Sequence, residues 1–149
     1  MLKKSLSVLG MVMLLLGFSS FAVAHCEIPC GIYGDETRID MITEHILTVE
    51  KSMNQIAALG QEEPVNYNQL VRWVMNKETH ATEIQDIISK YFLHQRIKPG
   101  DERYADKLKT LHAMLIEAMK CKQGTDLAHV TNLRKLLSEF KGLYFKSSH

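Results

Sequence analysis

Ile39-Asp40-Met41-Ile42-Thr43-Glu44-His45-Ile46-Leu47-Thr48-Val49-Glu50-Lys51-Ser52-Met53-Asn54-Gln55-Ile56 is the stretch that fixes the class of this chain. Ile39, Ile42, Ile46, Val49, Met53 and Ile56 recur at alternating steps of three and four, which lays one apolar stripe along an α-helix. Asp35, Glu36 and Asp40 place negative charge near the start of that helix, where the helix dipole favours it. The pattern predicts a helix over about Asp35 to Leu59, ended by the polar break Gly60 to Pro64.

Downstream, the same period recurs three times. Leu70, Val74, Ile84, Ile87, Ile88 and Tyr91 predict a second helix from about Asn66 to Leu93, closed by Lys98-Pro99-Gly100-Asp101. Leu108, Leu111, Leu115, Ala118 and Met119 predict a third from about Glu102 to Lys122, with Gly124 at its C-terminal cap. Leu127, Val130, Leu133, Leu137 and Phe140 predict a fourth, capped by Thr125 or Asp126. No strand-like alternation, internal repeat or low-complexity tract intervenes. Four amphipathic helices with short connections predict an all-α, antiparallel four-helix bundle over about residues 35–145.

Upstream, Met1 to Ala24 has the form of a cleaved signal peptide: Lys3 and Lys4, an apolar core from Val8 to Phe18, and the small-x-small site Ala22-Val23-Ala24. The competing reading is a membrane anchor, but the apolar run is shorter than the roughly 20 residues a spanning helix needs. Export points most simply to a bacterial periplasm. Removing 24 of the 149 residues leaves 125, one domain's worth of chain, with 16 basic and 17 acidic residues. Nothing in that balance points to nucleic acid or an anionic membrane as partner.

Cleavage after Ala24 would expose His25 as a new N-terminus, directly ahead of Cys26-Glu27-Ile28-Pro29-Cys30-Gly31-Ile32-Tyr33. A free amine, an imidazole and two thiols then lie in one short hook. Thiolates and imidazole suit late transition metals; tetrahedral sulfur-rich sites favour zinc, and square-planar sites copper(II) or nickel(II). The amine and the Cys26 backbone nitrogen form one chelate ring, the Cys26 thiolate closes a second, and Cys30 supplies the fourth corner after the Ile28-Pro29 turn. Adjacent rings through backbone nitrogen favour a planar site, with the His25 imidazole free to approach along the axis. The bland reading of Cys26 and Cys30 is a structural disulfide, the ordinary fate of paired cysteines in an exported protein.

This segment resembles the hook of the nickel superoxide dismutases, whose pattern is His-Cys-x-x-Pro-Cys-Gly-x-Tyr at a processed N-terminus followed by a four-helix bundle. Every fixed position is matched, from His25 through Tyr33. Arg38-Ile39-Asp40 is similar to the family's stretch after the hook, and Lys98-Pro99 to a family Lys-Pro pair near it. The resemblance implies one nickel ion per subunit, held by the His25 amine, the Cys26 backbone nitrogen and the Cys26 and Cys30 thiolates, with the His25 imidazole joining in the oxidised state. It implies conversion of superoxide to dioxygen and hydrogen peroxide, with nickel alternating between its divalent and trivalent states. It further implies a cis Ile28-Pro29 bond and a homohexamer. Tyr33 would guard the open face, and Lys98 would draw in the anionic substrate. Asp40 would stand behind the His25 imidazole, where the family often carries glutamate one residue further from the hook. His80, with Arg72 as the competing choice, falls where the family has an arginine supporting that carboxylate. A non-catalytic periplasmic carrier of nickel or copper is the alternative from another class, and a helical interaction module with a disulfide is a third.

The remaining candidates read as structural. Cys121 is a buried apolar residue on the third helix. His45, His94, His112 and His129 share no ligand spacing and read as surface or satisfied polar groups. Met41, Met53, Met75, Met114 and Met119 read as core filler, and Trp73 and Tyr67 as packing residues. A c-type haem needs Cys-x-x-Cys-His, and di-iron bundles need Glu-x-x-His pairs; the chain has neither.

Overall fold

The computed structural model describes residues 34–145. Among them are four helices and no strand: α1 (Asp35–Leu59), α2 (Tyr67–Asp86), α3 (Tyr104–Gln123) and α4 (Ala128–Phe145), with α2 running on as a π-helical segment, Ile87–Arg96. The fold is an all-α helical bundle. No helix among the described residues is long and apolar enough to cross a membrane.

Cross-helix hydrogen bonds set every neighbouring pair antiparallel. On α1 and α2, His45 meets His80 and Ser52 meets Asn76; on α3 and α4, Thr110 meets Glu139 and Glu117 meets His129. Lys77 and Gln85 of α2 reach Cys121 and Leu115 of α3, and Asp35 and Glu50 of α1 reach Tyr144 and Arg134 of α4. In each case rising numbers on one helix meet falling numbers on its neighbour. The core between them takes Ile39, Ile42, Ile46, Val49 and Met53 from α1, Ala81, Ile84, Ile88 and Phe92 from the long second helix, Leu111, Met114, Ala118 and Cys121 from α3, and Val130, Leu133, Leu137 and Phe140 from α4.

Local chemistry explains the boundaries. Asn66 caps α2, its side chain accepting from Gln69 N at 3.2 Å. Asp126 accepts from Ala128 N at 2.9 Å at the start of α4. The break before α3 is a turn in which Asp101 N donates to Lys98 O at 3.0 Å, Pro99 holds the second position, and Gly100 takes φ +97°, the left-handed conformation a glycine accepts without strain.

Five apolar residues expected inside are exposed: Tyr67, Val74, Met75, Met119 and Leu127. The α2 residues have a common cause. α3 ends at Gln123, and its end abuts Lys77, whose Nζ donates to the carbonyls of Cys121 (2.7 Å), Lys122 (2.5 Å) and Gly124 (3.3 Å). The first ten residues of α2 therefore overhang α3 and pack mainly on α1. Lys77 itself is buried, a cation set against the negative end of the α3 dipole. Leu127 precedes the first turn of α4 and misses its stripe. Trp73 is half-buried, with Lys51 Nζ 5.8 Å from its ring centroid.

The second helix also departs from expectation at its far end. It continues to Arg96 and does so in π register, in which N–H groups bond five residues back; Ile97 N donates to Phe92 O at 3.0 Å. This register stacks residues five apart, so Arg96 sits over the Tyr91 ring at 4.9 Å and its Nη2 donates to Tyr91 Oη at 2.8 Å.

Candidate metal centre

The expected ligands His25, Cys26 and Cys30, the guard Tyr33, the Ile28-Pro29 bond and the leader Met1 to Ala24 all lie outside the described residues. Among the described residues, the cis peptide bond is Glu63-Pro64. What the bundle does show is where residue 33 joins it, since Gly34 follows Tyr33 in the chain and α1 begins at Asp35.

Around Asp35 the end of the bundle is densely bonded. Its Oδ1 accepts from Tyr91 Oη at 2.5 Å and lies 2.9 Å from Arg96 Nε; its Oδ2 accepts from Tyr144 Oη at 2.9 Å. Arg38 also lies over Tyr91, its guanidinium 5.3 Å from the ring centroid. Burial, then the hydrogen bond to Asp35, pushes both phenols up from the ordinary tyrosine range, so they stay neutral donors at physiological pH. Arg96 is pushed further up, chiefly by its hydrogen bond to Tyr91.

Lys98 follows two residues after Arg96 and is exposed, with its backbone N–H donating to Asp101 Oδ2 at 3.0 Å. Asp40 is exposed on α1 and borders a cleft with Glu36, Lys141 and Gly142. His80 is not set beside Asp40. It faces His45, with Nδ1 atoms 2.8 Å apart, about 7.5 Å further along α1 by helix rise. Arg72 is further away still, beside Thr48 and Lys51. The cation that shares a cleft with Asp40 is Lys141, which the sequence reading passed over.

The other histidines are accounted for. His94 and His112 are exposed, and His129 Nδ1 is 2.8 Å from Glu117 Oε2, which also accepts from Asn132, while Lys120 donates to Glu117 Oε1. His45 is harder to protonate than a free imidazole, because it is partly buried and faces His80, with Glu83 and Glu44 opposing weakly. A base with a lowered folded-state pKa is protonated more readily when unfolded, so its contribution to stability is lost as pH falls below the ordinary value of 6.5. Thermal unfolding at pH 7.5 and pH 5.5 should show wild type losing more stability on acidification than His80→Gln; parallel losses would refute this.

No group of three or more His, Cys, Asp and Glu side chains that could hold an ion gathers among the described residues. The donor set in the sequence before Gly34, two thiols with an imidazole and a releasable amine, fits nickel. A family model described as nickel-containing superoxide dismutase matches residues 20–148, a span that takes in both that donor set and the whole described bundle. The chain belongs to that family. It is therefore a nickel superoxide dismutase in kind, an oxidoreductase that uses nickel to disproportionate superoxide, and the non-catalytic carrier has no comparable support. Neither the curated proteins nor the solved structures yielded a match.

Proposed function

We propose that this nickel superoxide dismutase works through a hook formed by residues 25–33 after cleavage behind Ala24, so that residues 1–24 are a signal peptide and residues 25–149 the mature domain. The observation that carries this reading is the complete His-Cys-x-x-Pro-Cys-Gly-x-Tyr pattern standing directly behind a small-x-small cleavage site. Nickel, when bound, supplies the one-electron cycle by which one superoxide is oxidised to dioxygen and a second, with two protons, is reduced to peroxide. The residues of the chain hold and tune it. The His25 amine, the Cys26 backbone nitrogen and the thiolates of Cys26 and Cys30 would hold the nickel, and such electron-rich donors would bring its higher oxidation state within reach. The His25 imidazole would add a further nitrogen donor, with Asp40 as the carboxylate that would support it. Tyr33 restricts the open face, and Lys98, exposed at the same end of the bundle as the root of the hook, attracts the anion.

The protein is exported, most simply to a periplasm, and assembles as a homohexamer; the stripe of Tyr67, Val71, Val74 and Met75 that α2 leaves exposed is compatible with burial between subunits. Protein isolated from its native compartment should begin at His25 and carry one nickel per subunit. Intact-mass and metal analysis check both; material that begins upstream and still dismutates would overturn the amine-ligand mechanism.

A further inference from the structure

An acidic residue in the first turn of a helix ordinarily serves its own helix, facing the free N–H groups there. Asp35 does something else. Both of its carboxylate oxygens are turned outward to donors on two other elements: Tyr91 and Arg96 of the π-helical segment, and Tyr144 near the end of α4. The π register brings Arg96 over Tyr91, so the two donors arrive already braced against each other. The group is partly sheltered, with the Asp35 and Arg96 side chains 30% and 22% exposed.

Its location in the chain gives this clamp a purpose. Covalent geometry keeps Tyr33 within about 7 Å of Asp35 and Cys30 within about 18 Å, the reach of two and five residues. Arg96 is two residues before Lys98, and Ile97 between them is buried. One carboxylate, two residues after Tyr33, thus ties the start of α1 to the segment that carries Lys98.

We propose that Asp35, held by Tyr91, Arg96 and Tyr144, is a positioning residue that fixes the root of the nickel hook against the bundle and sets its direction relative to Lys98. This rests on the reading that residues 25–33 hold the nickel. Asp35 acts on the metal only through the chain, by limiting the directions in which residues 25–33 can leave α1. Burial and the hydrogen bonds to Asp35 keep both phenols protonated near neutral pH, so both remain donors to the carboxylate there.

Processed, nickel-loaded enzyme is the material for the test, with Tyr144→Phe and Asp35→Asn as variants. Three quantities are compared with wild type: the rate of nickel release to a chelator, the nitrogen hyperfine splitting of the trivalent nickel signal in electron paramagnetic resonance, and the thermal midpoint. Each variant weakens hydrogen bonds to a charged group, so nickel release should quicken by about tenfold. The nitrogen splitting should broaden as the imidazole samples more positions. Arg134→Ala is the control: it removes the bidentate Arg134–Glu50 pair about 22 Å further along α1 and should leave release and splitting unchanged. Release and splitting identical to wild type in Tyr144→Phe, with only the thermal midpoint lowered, would reduce the clamp to a structural tie. Tyr144→Phe suffices alone if Asp35→Asn fails to fold. Cys30→Ser run in parallel separates the two levels: if it keeps planar nickel and activity, the hook reading fails and the inference with it. If it loses both while Tyr144→Phe is unaffected, the inference alone fails.

Discussion

Cys30→Ser should lower superoxide dismutation by about a hundredfold or more, beyond what loss of an outer-shell partner costs, while leaving the helical content unchanged. A serine hydroxyl is a hard donor that stays protonated at neutral pH, so on the proposed ligand set nickel would lose one of its two sulfur donors. The strong absorption of thiolate-bound nickel should weaken in the same preparation. Cys26→Ser should do at least as much harm, because on the same reading that thiolate would close a chelate ring with its own backbone nitrogen. Retaining Met1 to Ala24 should act on a different atom to the same end, since the amine of His25 is then an amide. Wild-type levels of activity in either cysteine variant would show that dismutation does not run through the hook.

Phe92→Ala should cost about 3–5 kcal/mol, a large share of the roughly 5–15 kcal/mol by which domains are stable. Phe92 is fully buried where the π-helical segment meets α4. Its ring lies edge-on to Phe140 at 5.0 Å, to Tyr144 at 5.6 Å and to Tyr91 at 5.2 Å. Truncation removes the centre of that cluster and leaves a cavity that three anchored rings cannot readily close. Urea unfolding should show the midpoint falling with little change in slope. The matched control is Leu47→Ala on the exposed face of α1, which should stay within about 0.5 kcal/mol of wild type. Since Phe92 backs both phenols of the Asp35 clamp, its loss should also quicken nickel release. A Phe92→Ala protein as stable as wild type would mean that the aromatic cluster does not carry the packing of this end.

Where each helix meets one continuous wall of neighbours, periodicity was enough to read it. α1 spans Asp35–Leu59 as its stripe predicts, and α3, read from Glu102 to Lys122, spans Tyr104–Gln123. Periodicity did not reveal the π register after Asp86, because Ile84, Ile87, Ile88 and Tyr91 suit either winding until cross-element contacts choose between them. Nor did it show that α2 outruns α3, which left Tyr67, Val74 and Met75 outside. A signal for that was present: Lys77 stands in register with Ala81, Ile84 and Ile88, an inward position that a lysine takes only when carbonyls await it. For the site, the hook pattern was legible because its chemistry is contiguous in sequence. The clamp was not, since Asp35, Tyr91, Arg96 and Tyr144 are brought together only by folding, and Asp35 already had an adequate local explanation as a helix-start acid.

The buried sulfur of Cys121 has a bearing on the life of an enzyme whose product is an oxidant. Its thiol is fully enclosed, and enclosure, reinforced by nearby Glu117, raises its pKa to about 11 despite Lys77. Oxidation and thiol exchange both proceed through the deprotonated form. The folded protein therefore keeps this cysteine protonated and enclosed, shielded from the peroxide that the enzyme makes.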